Sequence, residues 1–156
     1  MTNDVAVLLH NVRSAHNVGS IFRTADAAGV SKIYLAGYTP APRDRFGRVQ
    51  KEIAKTALGA ERSVPYEHVA LSRTVILRLK REGWTIVGVE QDARARDYRR
   101  YRAKGKTLFV FGNEVRGIPR SLRALCNKLI EIPMYGTKES LNVAVTAGII
   151  LFHVRQ

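Results

Sequence analysis

Short continuous runs of apolar residues recur along the chain, separated by segments in which apolar positions follow a helical period. A run of this kind is typical of a strand that is buried on both faces of a sheet. The predicted strands are residues 5–10, 32–37, 84–89, 107–111 and 129–133.

Helical segments lie between these strands. The first follows a polar loop and ends before Gly29, with Ile21, Ala25 and Ala28 on one side. The other predicted helices are residues 51–58, ended by Gly59; 72–82, capped by Ser72; 119–125, with Pro119 in the first turn; and 141–154. This alternation predicts an α/β fold, a mostly parallel sheet with helices on both faces. The length predicts one domain, residues 1–156.

The composition is that of a soluble globular protein with a strong preference for anionic partners. Hydrophobic residues make up 46% of the chain and charged residues 25%. Lys and Arg number 26 against 13 Asp and Glu, which gives a formal net charge of +13. Because neutralising phosphates releases counterions, this charge favours a nucleic acid partner. The alternative is that the basic residues serve solubility alone.

Several functional classes lose support from the sequence. The single cysteine, Cys126, excludes an internal disulfide or a multi-cysteine zinc site, and the four histidines are too scattered to predict a metal site. Glycine-rich phosphate loops of ATPases and nicotinamide enzymes are absent. No signal-peptide pattern opens the sequence, and the apolar stretch 143–154 is too short and too interrupted to span a bilayer. We therefore expect a cytoplasmic protein without membrane association.

Two polar clusters follow predicted strands, where parallel sheets usually carry their sites. In residues 11–25, Asn17 and Arg23 lie near the start of a helix, where a guanidinium could grip a phosphate. The alternative makes Asn17 a cap and Arg23 a solvated charge. In residues 111–117, Gly112 would let a ligand lie against the backbone, with Glu114 as a nearby acceptor. The alternative is a simple strand-ending turn.

A third cluster, residues 132–142, joins the last predicted strand to a strongly apolar helix. Ser140 and Asn142 open this helix, and Ser140 alone could be its N-cap. A helix that is apolar on most sides requires burial, which favours a subunit interface.

Together, the three clusters resemble the signature motifs of the SpoU family of RNA 2′-O-ribose methyltransferases, TrmH-like members of the SPOUT class. The first is Asn11-x-Arg13-Ser14-x-x-Asn17-x-Gly19-x-x-x-Arg23-Thr24-Ala25. The second is Phe111-Gly112-Asn113-Glu114-x-x-Gly117-Ile118-Pro119. The third is Ile132-Pro133-Met134-x-Gly136-x-x-x-Ser140-Leu141-Asn142-Val143. The motifs occur in the family's order and cover nearly the whole chain.

The resemblance implies a trefoil knot in the C-terminal part of the sheet and a homodimer that binds S-adenosylmethionine in the knot. Many members of the family carry an added RNA-binding domain at the N-terminus, but here the first motif starts within the first dozen residues, so we expect a catalytic domain alone. The residues implied to contact the cofactor are Val89, Gly112, Ile132, Met134 and Leu141. The implied catalytic residues are Arg23, Glu114, Ser140 and Asn142, with Asn17 ordering the first loop.

Without a separate binding domain, the RNA must be held by basic segments of this surface. Residues 39–48 are predicted to form a mobile basic loop, of which residues 43–48 are one candidate segment. Residues 94–104 are the other and place Tyr98 and Tyr101 among several arginines. Arginine planes and tyrosine rings can stack on unpaired bases. The alternative is a solvated charged loop. The predicted RNA-binding residues are Arg13, Arg43, Arg45, Arg99, Arg100 and Arg102.

The sequence therefore predicts S-adenosylmethionine-dependent methylation of a ribose 2′-hydroxyl in structured RNA, either tRNA or rRNA. Two alternatives keep the same fold: a catalytically inactive RNA-binding dimer, and an enzyme that methylates a base. A generic Rossmann-type nucleotide enzyme is disfavoured by the missing glycine-rich turn.

Overall fold

A computed structural model describes residues 3–156, so that Met1 and Thr2 of the predicted domain lie outside the described residues. Seven strands form one sheet in the order β3-β2-β1-β6-β4-β7-β5, and every pairing is parallel. The strands are β1 (Asp4–His10), β2 (Lys32–Ala36), β3 (Tyr66–Val69), β4 (Thr85–Val89), β5 (Arg96–Asp97), β6 (Lys106–Phe111) and β7 (Lys128–Glu131). The predicted parallel α/β architecture is confirmed.

Helices cover both faces of this sheet. They are α1 (Ala15–Ala27), α2 (Lys51–Ala57), α3 (Ala60–Ser63), α4 (Ser72–Arg81), α5 (Arg120–Arg123) and α6 (Val143–His153), with a 3₁₀ turn at Tyr98–Arg100. One core joins the sheet to α1, α2, α3 and α6, and a second joins it to α4 and α5. Burial on both faces explains why the central strands are continuous apolar runs rather than alternating ones.

Several predicted helix caps and boundaries were wrong. Ser72 is not the cap of α4 but its first residue, because its hydroxyl is taken by the Nδ1 atom of His10 at 2.7 Å. Pro119 is the N-cap of α5, which ends at Arg123 rather than residue 125 because the chain turns there toward β7. The last helix begins at Val143, two residues later than predicted, because the Asn142 side chain caps it.

Short edge elements escaped the prediction. β3 contains the polar pair Glu67 and His68, and β5 consists of only Arg96 and Asp97. Edge strands are half-exposed, so they lack the continuous apolar pattern by which the central strands were recognised. Within residues 3–156, no helix is long and apolar enough to cross a membrane.

Gly19 allows α1 and α2 to pack closely. A β-carbon at this position would collide with the Thr56 hydroxyl and with the Ile53 carbonyl oxygen of α2. At Gly148 in α6, an added β-carbon would lie 3.8 Å from Thr24 Cγ2, an ordinary contact.

Gly19→Ala is therefore expected to lower the free energy of unfolding by about 1–3 kcal/mol, since overpacking forces the two helices apart. Urea denaturation measures this change. The matched variant Gly148→Ala is expected to raise stability by about 0.5–1 kcal/mol, because alanine loses less backbone entropy in a helix. Equal effects of the two substitutions would contradict the close packing of α1 on α2.

Candidate active site

A cavity lies at the carboxyl ends of β4, β6 and β7. Val89 ends β4, Phe111 ends β6, and Ile132 directly follows β7. The lining residues are Val89, Glu90, Gln91, Phe111, Gly112, Asn113, Glu114, Val115, Gly117, Glu131, Ile132, Met134, Ser140, Leu141, Val143 and Thr146. All five residues predicted to contact the cofactor are among them, and so are Glu114 and Ser140.

The loop after β7 leaves its main chain free on one side of this cavity. Among residues 3–156, no backbone N–H or C=O group of residues 133–141 has a hydrogen-bond partner. Of these residues, Met134, Ser140 and Leu141 line the cavity, and their unpaired backbone groups are available to a ligand. Apolar side chains such as Val89, Phe111 and Leu141 supply the remaining walls. Such a combination suits a flat, polar-edged ligand of nucleoside type.

Gly112 is required by the protein's own backbone. A β-carbon there would collide with the backbone of Gly117 and Ile118. The turn that brings them close is held by the Asn113 side chain, whose Oδ1 accepts from the amides of Val115 and Arg116 at 2.9 Å each. The missing side chain thus first permits a folded loop, and this loop then forms one wall of the cavity.

Glu90 is a site residue that sequence reasoning missed. Its Oε2 accepts a hydrogen bond from the Ile118 amide at 2.7 Å, and it lies against Gly117, whose φ is +66°. Glu90 therefore fastens the loop after β6 to the end of β4. Its place directly after a predicted strand was the only signal in the sequence.

Glu114 connects the first two sequence clusters. Its carboxylate accepts from the backbone amides of Arg13 and Ser14, both at 2.9 Å, and from Asn17 Nδ2 at 3.3 Å. Burial opposes ionisation of Glu114, but these hydrogen bonds outweigh it and hold its pKa below the ordinary value. The carboxylate is therefore charged and fully engaged at neutral pH.

Asn142 adds the third cluster to this network. Its Nδ2 donates to Asn17 Oδ1 at 3.1 Å, while its Oδ1 accepts from the Ala144 amide at 2.8 Å and caps α6. Ser140, the alternative cap, lines the cavity instead. The predicted residues Asn17, Glu114 and Asn142 thus form one hydrogen-bonded chain.

Arg23 is not brought to this cavity within one chain. It lies six residues after Asn17 on α1, which turns it about 240° around the helix axis and away from Glu114. It is exposed and lines a separate groove with His16, Ser20, Lys55 and Phe152. This groove and the cavity have no lining residue in common.

The predicted RNA-binding residues fall into separate places. Arg13 lines a groove with Tyr38 and Arg116 that adjoins the cavity at Glu114. Tyr38 was not predicted as a site residue, although its hydroxyl bonds Asn113 Nδ2 at 3.1 Å. A lone aromatic residue in a loop gives no sequence signal that it lines a groove beside the cavity.

The segment 43–48 forms a hydrogen-bonded turn. Asp44 accepts from the amides of Phe46 and Arg48, and Arg43 Nη1 donates to the Gly47 carbonyl at 2.8 Å. The guanidinium groups of Arg45 and Arg48 lie 4.8 and 5.1 Å from the centre of the exposed Phe46 ring. The predicted basic loop therefore displays an aromatic ring between two positive charges.

The arginines of residues 94–104 divide into two groups. Arg99 is paired with Asp97, and the Arg99 side chain lowers the pKa of Asp97 to about 2. Arg99 also donates to Tyr135 Oη at 2.9 Å. Arg102 donates to His153 Nε2 at 3.2 Å. Arg100, in contrast, lines a cleft on the edge of the sheet.

The parallel sheet and the three linked clusters define a class of α/β protein in which three loops enclose a cavity at the strand ends. The model of the SpoU rRNA Methylase family matches residues 4–152, and the chain belongs to this family.

Known relatives agree with this assignment. The 23S rRNA (guanosine-2′-O-)-methyltransferase RlmB of Escherichia coli (strain K12) is 40% identical over 154 residues, 96% of this chain and 59% of that protein. An AdoMet-bound rRNA methyltransferase from Sinorhizobium meliloti has a TM-score of 0.87 at 31% identity, covering 99% of this chain and 57% of its own. The TrmH/SpoU tRNA modifying enzyme of A. aeolicus has a TM-score of 0.85 at 30% identity, with 99% and 75% covered. The chain spans a little over half the length of the curated relatives it matches.

Replacing Glu114 tests the connection between the clusters. Glu114→Gln is expected to lower the free energy of unfolding by about 1–2 kcal/mol at pH 7, because an amide NH₂ would then face backbone N–H donors. Because the folded-state pKa of Glu114 is lowered, its contribution is complete above the ordinary pKa near 4.3 and is lost as pH falls through the folded-state pKa. Urea denaturation of both proteins across pH 3 to 7 measures the difference.

The matched control is Glu82→Gln, which changes an exposed carboxylate without a side-chain hydrogen bond to any described residue. It should leave stability nearly constant over this range. A Glu114→Gln effect that stays unchanged from pH 7 to pH 3 would contradict the ionised network.

Proposed function

We propose that this protein transfers a methyl group from S-adenosylmethionine to a ribose 2′-hydroxyl of structured RNA. The observation that carries the proposal is the hydrogen-bonded chain of Glu114, Asn17 and Asn142 beside a cavity at the strand ends. Family membership and the names of the relatives support the reaction. Among tRNA and rRNA, the RlmB relatives favour rRNA. The cytoplasm, where both RNAs are available, is the proposed location.

The cavity fits the cofactor by the chemistry of its walls. The unpaired backbone groups of Met134, Ser140 and Leu141 can hold polar edges. Val89, Ile132 and the side chains of Met134 and Leu141 can enclose the apolar parts, with Gly112 keeping the β6 loop in place. When bound, S-adenosylmethionine supplies an electrophilic methyl group on a sulfonium. Ser140 lines the same cavity and is proposed to contact the reacting groups.

We also propose that the C-terminal part of the chain is threaded as a trefoil knot. β7 lies between β4 and β5, although β5 precedes it in the chain. Beyond β7, α6 packs against α1 and contacts the segment after β5, since the Tyr98 and His153 rings lie 5.1 Å apart. The late insertion of β7 beside β5 and the packing of α6 against both α1 and the segment after β5 support the threading.

A homodimer is proposed from the apolar surface of α6 and the position of Arg23. Val145 and Phe152 of this helix are 51% and 49% exposed. Exposed apolar side chains on one helix are typical of a subunit interface. Phe152 also lines the groove that contains Arg23. A second chain that packs on this face would therefore place the Arg23 of one chain near the cavity of the other.

In the proposed reaction, Arg23 clamps the substrate phosphate and stabilises the charge that develops on the ribose oxygen as its proton leaves. A guanidinium remains protonated in proteins, so it acts as a cation rather than as a base. Glu114 is a positioning residue, because both carboxylate oxygens already accept hydrogen bonds and its pKa is low. Through Asn17 it sets the orientation of Asn142.

The RNA is proposed to enter over the groove of Arg13, Tyr38 and Arg116, which adjoins the cavity. The guanidinium planes of Arg45 and Arg48, which lie over the Phe46 ring, offer a further surface on which an unpaired base can stack. Arg43, Arg99, Arg100 and Arg102 remain proposed RNA contacts. Arg99 and Arg102 also have partners within the chain.

The reaction is tested with radiolabelled S-adenosylmethionine and unmodified 23S rRNA and tRNA transcripts. The expected product carries label in nuclease-resistant dinucleotides, because a 2′-O-methyl group blocks cleavage of the following phosphodiester. Label recovered in free bases would contradict ribose methylation and favour a base-methylating enzyme. RNA binding without any transfer would favour the inactive RNA-binding dimer.

Mixed dimers test the placement of Arg23. Arg23→Ala and Asn142→Ser are each expected to lower kcat about 100-fold, by loss of charge stabilisation and of the Asn17 contact respectively. The serine keeps an oxygen that can cap α6. If Arg23 serves the partner's cavity, refolding the two variants together restores about a quarter of the wild-type activity, since half of the dimers are mixed and each has one intact site.

The controls are the two variants refolded separately, which should stay inactive. No recovery in the mixture, at equal S-adenosylmethionine affinity, would mean that Arg23 acts within its own chain or not at all. Near-normal turnover of Arg23→Ala would remove Arg23 from the catalytic residues, whereas Arg23→Lys, which keeps the positive charge but not the bidentate fork, should retain part of the activity.

A further inference from the structure

A second cleft, of about 440 Å³, lies along the edge of the sheet where β5 pairs with β7. Its lining residues are Arg94, Arg96, Arg100, Tyr101, Arg123, Cys126, Asn127, Lys128, Leu129 and Ile130. None of them lines the cavity at the strand ends. The volume is large enough to accept a ligand of nucleotide size.

The side chains of this cleft carry a strong positive charge. Four arginines and Lys128 line it, and no carboxylate does. Asp92, nearby, pairs with Arg94 and Arg123 at 3.2 Å each. Among residues 3–156, Arg96 and Arg100 have no ion pair and no side-chain hydrogen bond. The cleft therefore holds cations that the protein itself does not neutralise.

Arg123 adds a further guanidinium to the wall of the cleft. Its Nη1 reaches Asp92, while its Nε is buried and has no hydrogen-bond partner among the described residues. Because the Nε has almost no accessible surface, it contributes positive charge to the wall rather than a direct contact to a ligand. An arginine fork matches the oxygens of a phosphate particularly well.

The rest of the cleft suits the other parts of a nucleotide. Leu129 and Ile130 are apolar, and the Tyr101 ring has the Lys128 ammonium 5.8 Å from its centre. Apolar and aromatic surface beside a positive charge is typical of sites that hold a sugar or base next to its phosphate. An acidic peptide would use the charges but not this combination.

We propose that the cleft binds a phosphodiester of the RNA strand whose target nucleotide occupies the cavity. The proposal rests on the proposed function and names a second contact for the same substrate. The two sites are lined by neighbouring residues of one strand end, because Ile130 lines the cleft while Glu131 and Ile132 line the cavity. An RNA strand that leaves the cavity therefore has only a short distance to cover to reach the cleft.

The double variant Arg96→Gln/Arg100→Gln tests the cleft, because both side chains are exposed and lack internal partners. The matched control is Arg73→Gln/Arg81→Gln, which removes the same charge from exposed positions on α4 outside both sites. The probe is a fluorescein-labelled single-stranded RNA of mixed sequence, followed by anisotropy between 50 and 200 mM KCl.

The cleft variant should bind this RNA about tenfold more weakly at 50 mM KCl, because two charged contacts are lost. Raising KCl from 50 to 200 mM should weaken RNA binding by a factor about sevenfold smaller in the cleft variant than in the wild type. Each single-strand phosphate contact contributes about 0.7 to the slope of log affinity against log salt concentration. The control should stay within about twofold of the wild type at each salt concentration. Equal behaviour of the two variants would overturn the proposal.

Measuring methyl transfer distinguishes failure of the cleft proposal from failure of the proposed methyltransferase reaction. With active enzyme, the cleft variant should raise KM for RNA about tenfold while kcat and S-adenosylmethionine affinity stay unchanged. If the wild type transfers no methyl group but the cleft variant still loses RNA affinity, the reaction is refuted and the cleft stands. If transfer occurs and the KM of the cleft variant is that of the wild type, the cleft is refuted and the reaction stands.

Two further measurements exclude other occupants. Calorimetry with inorganic phosphate and with adenosine monophosphate should show binding much weaker than that of the RNA. Tight binding of either small anion, lost in the cleft variant, would assign the cleft to a free phosphate ligand and overturn the RNA assignment. A changed sedimentation coefficient of the cleft variant would place a second copy of the chain there, which would also overturn it.

Discussion

The hydrogen bonds accepted by the Glu114 carboxylate are the interactions on which the site depends. It satisfies two backbone amides at the start of α1 and positions Asn17, which in turn holds Asn142 at the start of α6. Three loops that are distant in the sequence are thereby fixed in one arrangement. Because hydrogen bonds to a charged acceptor are stronger than neutral ones, a single ionised side chain can order this much backbone.

The sheet determines why these loops meet at all. β4, β6 and β7 are parallel neighbours, so their carboxyl ends open at the same edge. Close packing within the loops completes the arrangement: Gly112 admits the Gly117 backbone, and Glu90 fastens it to β4. The cavity is therefore a product of backbone packing, to which side chains add the polar network.

The sequence was most informative for strands that are buried on both faces and for residues that belong to recognisable motifs. Continuous apolar runs identified the buried strands β1, β2, β4, β6 and β7, and the resemblance to known motifs identified the residues of the cavity. Contacts between distant residues were inaccessible, because no local pattern reports them. Examples are the bond from Ser72 to His10, the bond from Asn142 to Asn17, and the pairing of Glu90 with the loop after β6.

The sequence also does not show which of the exposed basic residues are paired within the protein. Composition revealed a positive surface but not its division, since pairing depends on tertiary neighbours. Arg99 is paired with Asp97, whereas Arg100, the next residue, faces a cleft with uncompensated charge. Residue type alone therefore cannot distinguish a structural arginine from one that is available to a ligand.

The free main chain of residues 133–141 has a consequence for how this family can diversify. A ligand held by peptide groups is recognised through the path of the backbone, which any side chain of compatible conformation preserves. Exposed positions such as Thr137, Lys138 and Glu139, which do not line the cavity, can therefore exchange while the backbone path at Met134, Ser140 and Leu141 is preserved. One segment can in this way vary its outer surface while the edge that lines the cavity keeps its conformation.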